Sequence, residues 1–180
     1  MWNMETTNSG RAEAPVAVVG RGGTLTAGLL RRLLPGPVVE FTPCQAALYE
    51  GDCRAVVVEN FDPAAGRTLS GCAVARWALS QRSGVTVVGL DDPEGQRCAG
   101  AMPGAVYAYS DGRPQADLTA KNVRLRGERL EFEAFTTRGE LMRVRVPANG
   151  RPRLYDHLAA LAGALALGVP LGDAVARLNG

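Results

Sequence analysis

The chain has 180 residues, 46% of them hydrophobic, with 20 Lys+Arg against 18 Asp+Glu, a formal net charge of +2 and a mean hydropathy of −0.03. That is the make-up of one globular domain with a sizeable core. The small, dispersed charge argues against nucleic acid or a membrane surface as partner, and no apolar run reaches membrane length. Lys121 is the only lysine and His157 the only histidine, so chemistry needing either side chain has one candidate for it. Cys44, Cys53, Cys72 and Cys98 show no C-x-x-C spacing, which fits reduced thiols rather than a zinc site. The expected compartment is the cytoplasm, since the N-terminus does not read as a secretory leader.

Residues 1–14 are polar and patternless and read as a frayed tail, with a single domain over 15–180. Val16 to Val19 is a short run of β-formers, followed by Gly20, Arg21, Gly22, Gly23 and Thr24. Leu25, Leu29, Leu30, Leu33 and Leu34 then recur at helical spacing. Pro35-Gly36-Pro37 ends that helix, and a second strand is expected at Val38–Phe41. A short helix over 44–50 leads to a strongly apolar strand at Arg54–Glu59, whose continuity suits a central parallel strand. Asn60 to Pro63 lies at its C-terminal end, where α/β folds place their sites. Residues 67–82 read as a helix, Val85–Leu90 as a third core strand running into Asp91 and Asp92, and 94–101 as a turn or two of helix.

The pattern changes after Gly104. Val106–Tyr109 is a short strand. Asn122–Arg126, Arg129–Phe135 and Leu141–Val146 alternate apolar and charged residues, the mark of an antiparallel meander with one wet face. Arg153–Leu167 is a helix with Leu154, Leu158, Leu161 and Leu165 on one stripe and alanines over most of the rest, and Leu171–Leu178 is a last short helix. The expected fold class is α/β: a doubly wound, mostly parallel sheet with a phosphate-loop-like first strand–helix turn, plus a small antiparallel meander and C-terminal helices.

A strand feeding a helix through glycines leaves free N–H groups that attract anions. The short ligase form of the phosphate loop, G-x-x-G-K-[ST], falls on Gly20 to Leu25, but its lysine position holds Thr24 and its magnesium-hydroxyl position holds Leu25. The plain alternative is a turn that uses glycine for geometry alone. A dinucleotide fold is disfavoured because Leu25 replaces the third glycine of G-x-G-x-x-G, although Glu40 lies where a ribose-binding acid would be.

The order of these parts resembles the central domain of the Mur ligases, ATP-dependent enzymes that add amino acids to the peptidoglycan precursor. The segment Gly150-Arg-Pro-Arg-Leu-Tyr155-Asp-His-Leu-Ala-Ala160, with Ala164-Leu-Ala-Leu-Gly168-Val-Pro further on, is similar to that family's G-R-x-N-x-x-N-x-L-A-A…A-L-G-V-P segment. Val87-Val-Gly-Leu-Asp91-Asp92-Pro93 resembles its N-x-D-D-P strand end, and the meander with Ala116-Asp-Leu-Thr-Ala resembles its small antiparallel sheet. The resemblance covers about 15–180 and implies an ATP- and magnesium-binding fold. The departures from the family pattern fall on its chemistry. Thr24 stands for the phosphate-gripping lysine, Leu25 for the magnesium hydroxyl, Gly89 for the adenine-contacting asparagine, and Arg153 and Asp156 for the asparagines of the C-terminal segment. The stretch from Asn60 to about Trp77 lacks the family's metal-binding histidine and carbamylated lysine, and Glu59 is the one match for its metal-binding glutamate. The resemblance also implies that the flanking UDP-binding and amino-acid-binding domains are missing.

The expectation is therefore a Mur-ligase-like domain without ligase chemistry and without catalytic or metal-binding residues, acting through a protein partner or a second copy of the chain. Leu154, Leu158, Leu161 and Leu165 form the candidate contact helix, the alternative being that the chain's own sheet covers it. A second reading is weak ATP, magnesium or phosphate binding through Gly20, Arg21, Gly22, Gly23 and Thr24 with Asp91 and Asp92 nearby. The alternative for that acidic pair is a helix cap and turn. A third is one subunit of a split ligase, completed by another chain.

Overall fold

The computed structural model describes residues 14–20, 25–59, 82–91, 93–102, 104–148 and 153–180. The expected tail up to residue 13, the glycine-rich stretch 21–24, the candidate site stretch 60–63, the helix expected over 67–82 except Arg82, and residues 149–152 lie outside the described residues.

The elements are β1 (Val16–Val19), α1 (Leu25–Leu33), β2 (Val38–Phe41), α2 (Pro43–Leu48), β3 (Ala55–Val58), β4 (Val85–Gly89), α3 (Pro93–Ala101), β5 (Ala105–Ser110), β6 (Leu118–Arg126), β7 (Arg129–Thr136), β8 (Leu141–Pro147), α4 (Leu154–Ala166) and α5 (Leu171–Asn179). All eight strands form a single sheet of order β2-β1-β3-β4-β5-β6-β7-β8. The first five pair in parallel, β6 joins β5 in parallel, and β6-β7-β8 are antiparallel. The expected antiparallel meander continues the parallel sheet. Its first strand starts at Leu118 rather than Asn122, because Leu118 and Thr119 pair with Tyr109 and Ser110.

The parallel register aligns the strand ends. Val19 pairs with Val58, Val57 with Val87, and Gly89 with Tyr109, which itself pairs with Leu118. The C-terminal ends of β1, β3, β4 and β5 therefore lie at one level across the sheet. β1 and β3 are buried along their whole length, as continuous apolar runs in a two-sided sheet should be. Tyr109, itself fully buried, satisfies its hydroxyl by donating to Val58 O at 3.1 Å.

On one face, the core gathers Val16, Val18, Leu30, Leu33, Val57, Val87, Leu130, Phe132, Leu158 and Leu161. A smaller cluster on the other face includes Ala17, Val19, Phe41, Val56 and Val88. The leucine stripe of α4 belongs to the first cluster. Leu158 and Leu161 are fully buried, Leu154 nearly so, and Leu165 is packed against the same cluster. The candidate contact helix is thus covered by its own sheet and by α1 and α5, because its alanines and Gly163 admit neighbours on more than one side. A Cβ at Gly163 would stand 3.0 Å from Leu30 Cδ2 and 3.1 Å from Val57 Cγ2.

Two arginines clamp the helix ends. Arg177 of α5 donates to Leu33 O, and Arg32 of α1 donates to Arg177 O at 2.8 Å, so each helix's unpaired C-terminal carbonyls take a cation from the other. Thr42 and Gln45 form a reciprocal capping box at the start of α2. Among the described residues, no helix is long and apolar enough to cross a membrane.

Gly163→Val should lower stability by about 1–3 kcal/mol through overpacking. Gly28→Ala, on the exposed face of α1 with nothing within 4 Å of the new Cβ, should raise it by about 0.5–1 kcal/mol. Urea titrations of the two variants check both signs.

Candidate functional site

The level edge formed by the strand ends is where an α/β sheet presents its ligand groups. Gly20 leaves β1 there, buried, with its N–H bonded to Phe41 O at 3.1 Å. Its lack of a side chain leaves room for a close approach. A Cβ at Gly20 would stand 1.9 Å from Glu59 Oε2, because the Glu59 side chain lies directly over it. Glu59 follows β3, its N–H donates to Val19 O at 3.2 Å, and its Oε1 is closed off from solvent. Arg21, Gly22, Gly23 and Thr24 lie outside the described residues, as does Asp92.

The helix after the turn brings in a second carboxylate. Thr26, fully buried in the first turn of α1, donates from Oγ1 to Asp156 Oδ1 at 3.2 Å in the first turn of α4. Two helices therefore start side by side at the edge, and the residue between their first turns is acidic. Burial raises the Asp156 carboxyl above the ordinary carboxylate range, against the opposing pull of the Thr26 hydroxyl, Arg153 and His157. His157 is 3% exposed, with Nδ1 at 2.8 Å from Arg153 O. Burial holds it below its ordinary pKa, which keeps the ring neutral in the fold.

Asp91 serves the fold. Its Oδ1 accepts from Ser110 Oγ at 2.6 Å and its Oδ2 from Asp111 N at 2.9 Å, while Arg113 Nε lies 3.8 Å from Oδ1. Ser110 Oγ in turn accepts from the backbone N–H groups of Gly112 and Arg113. Asp91 therefore ties the end of β4 to the loop after β5, and both of its oxygens have internal partners. The turn alternative describes it better than a ligand role.

The remaining candidates disperse. Glu40 pairs with Arg31 at 3.3 Å, so the acid a dinucleotide ribose would need is engaged by α1. Cys53 is buried ahead of β3, and burial pushes its thiol up to about 11, an inert setting for a nucleophile. Lys121 lies on β6, with its Nζ 3.7 Å from the centre of the Phe135 ring. β6 stands four strand positions from β1, about 19 Å at ~4.8 Å per strand. Among the described residues, no three His, Cys, Asp or Glu side chains come together as a metal site.

Comparison with known proteins gives the fold a family setting. No family model matches the chain. Over 94 residues it is 37% identical to a UDP-N-acetylmuramate–L-alanine ligase of Stenotrophomonas maltophilia, a match covering 52% of this chain and 19% of that one. Over 89 residues it is 29% identical to the enzyme of the same name in Chlorobium phaeobacteroides, covering 49% and 19%. Among solved structures, a UDP-N-acetylmuramoylalanyl-D-glutamyl-2,6-diaminopimelate–D-alanyl-D-alanyl ligase of Acinetobacter baumannii superposes with a TM-score of 0.75 at 19% identity, over 93% of this chain and 46% of that one. The UDP-N-acetylmuramate–alanine ligase of Thermotoga maritima gives 0.71 at 14% identity, over 93% and 44%. The chain is similar to the Mur ligases, in sequence over about half its length and in fold over nearly all of it. It spans about half the length of the ligases whose structures it matches and about a fifth of the curated relatives.

The sequence singled out Gly20 and the pair Asp91 and Asp92 as candidates. It left unstated that Thr26 and Asp156, 130 positions apart, would meet. The only signal was that both open amphipathic helices in a fold that starts its helices at one edge.

Because the folded Asp156 carboxyl holds its proton to higher pH than in the unfolded chain, stability falls as pH rises from about 3.9 through the folded pKa. Asp156→Asn keeps an acceptor for Thr26 and removes the buried charge. The variant should melt above the parent at pH 8, and the gain should vanish by pH 4. A gain that is constant with pH would refute the assignment.

Proposed function

We propose that this Mur-ligase-like domain has lost ATP-dependent ligation and works as a non-catalytic binding domain connected with cell-wall or amino-acid-polymer synthesis in the cytoplasm. The observation that carries the reading is the position of Lys121. Transfer of a γ-phosphoryl group needs concentrated positive charge on the triphosphate. The sole ammonium of the sequence sits instead over Phe135, on the antiparallel part of the sheet.

The described residues also fit a triphosphate poorly. Glu59 lies over Gly20, and Asp156 meets Thr26 in the first turn of α1, so two acidic side chains stand among the described residues of this edge. An arginine such as Arg21 carries a broad planar fork and does not substitute for a compact ammonium at the loop's end. Asp91, spent on Ser110 and Asp111, offers no free carboxylate.

A weaker phosphate- or nucleotide-binding role is the second reading. It is supported by Gly20 and the first turn of α1 both lying at the strand-end edge, since a helix N-terminus favours an anion. A split ligase, completed by another subunit, would need that subunit to supply both lysine and metal ligands.

Incubation with Mg-ATP, UDP-N-acetylmuramate and L-alanine, the substrates named for the curated relatives, should release no phosphate above the buffer rate. Titration calorimetry with ATP and ADP should show at most millimolar binding. Steady ATP turnover that disappears in Gly23→Asp would overturn the non-catalytic reading.

A further inference from the structure

Among the described residues the sheet has three stretches of strand edge, and two carry plugging side chains. At the β2 edge, Pro37 O and Phe41 O bond to β1, which turns the Val38 carbonyl outward, and Arg31 Nη2 donates to it at 3.2 Å. At the β8 edge, Asn179 acts as a strand surrogate. Its Oδ1 accepts from Arg145 N at 2.8 Å, its Nδ2 donates to Arg143 O at 3.2 Å, and Pro147 closes the strand without an N–H. Such plugs stop edges from pairing with another chain.

The third edge is different. β5 stops at Ser110 opposite Thr119, while β6 continues to Arg126, overrunning the parallel sheet by roughly 20 Å at ~3.3 Å per residue. From Lys121 to Arg126, β6 has β7 on one side and, among the described residues, no strand or plugging side chain on the other. All six residues are exposed, including Val123 at 42% and Leu125 at 56%. The bulge between Lys121 and Arg124, with Asn122 at φ 53°, sits at the root of the overhang, and pairing is regular again from Arg124 to Arg126.

The charges indicate what fits this edge. Arg126 and Arg145 pair with Glu131 and Arg143 pairs with Glu133, all at 3.6–3.8 Å, whereas among the described residues Arg124 has no ion pair. Asn122, Arg124 and Arg126 also line a cavity of about 100 Å³ over the face of β6, β7 and β8, shared with Glu131, Glu133 and Arg143. A second copy pairing along the same edge would set Arg124 near its own counterpart, and like charges across a ladder repel. We infer that the overhanging edge of β6 takes an extended acidic segment of a partner protein, which adds as a strand, covers Val123 and Leu125, and places a carboxylate at Arg124. This is β-augmentation, in which main-chain bonds give affinity and alternate side chains give specificity. It names the partner chemistry for the non-catalytic reading.

The test is fluorescence anisotropy of the full chain with a labelled decapeptide of alternating Val and Glu, against one of alternating Val and Lys. The Val-Glu peptide should bind, more weakly as salt is raised, and the Val-Lys peptide should not. Arg124→Glu and Leu125→Pro should each weaken binding at least tenfold with an unchanged circular dichroism spectrum. The proline removes an outward N–H without touching the β7 ladder. Equal binding of both peptides, no binding of the Val-Glu peptide at millimolar concentration, or full binding by Arg124→Glu would overturn the inference. So would a sedimenting dimer of the parent that Leu125→Pro dissolves. ATP turnover alongside intact peptide binding would sink the non-catalytic reading and leave this one standing.

Discussion

The close seating of α4 through Gly163 is the constraint on which the rest depends. With no side chain there, the helix approaches Leu30 of α1 and Val57 of β3 together. That contact sets α4 alongside α1 and brings Asp156 to Thr26. Burial of Leu158 and Leu161 stabilises the arrangement by about 1.5–3 kcal/mol each. Two helix N-termini then face one edge of the sheet, the place where a fold of this kind meets its ligands.

What stands at that edge is acidic. Helix N-termini favour negative charge, and here the chain supplies its own in Asp156, half-buried, alongside Glu59 folded over Gly20. The same geometry that suits an incoming phosphate is therefore partly satisfied from within. Burial raises the Asp156 carboxyl, so a negative charge held there carries a desolvation cost. Asp91 tells a similar story one strand over, where a carboxylate at a strand end holds the β5 loop through Ser110 and Asp111.

The antiparallel half extends the same sheet past its parallel strands. The Arg–Glu pairs across β6, β7 and β8 lie on its wet face, where each is worth little in stability but sets register and side-chain order. Its far edge is closed by Asn179, a residue whose helix is in turn clamped to α1 by Arg177 and Arg32. Among the described residues the inner edge of β6 stays open, because β5 ends seven residues before it does, as the pair Ser110–Thr119 shows against the strand's end at Arg126.

Periodicity alone determined most of the elements. Val16–Val19, Ala55–Val58 and Val85–Gly89 are β-branched runs too short and too apolar to be anything but buried strands, and the leucine spacing of α1 and α4 declared helices with an apolar stripe. The single lysine, and hence the shortage of ammonium for a triphosphate, was equally legible, since composition does not depend on folding. Only the tertiary structure decided that the stripe of α4 faces its own sheet, that the meander continues that sheet, and that Asp156 reaches Thr26 while Lys121 lies over Phe135. Those are contacts between positions brought together by strand order and helix packing, and hydrophobic spacing records which face is buried but not what buries it.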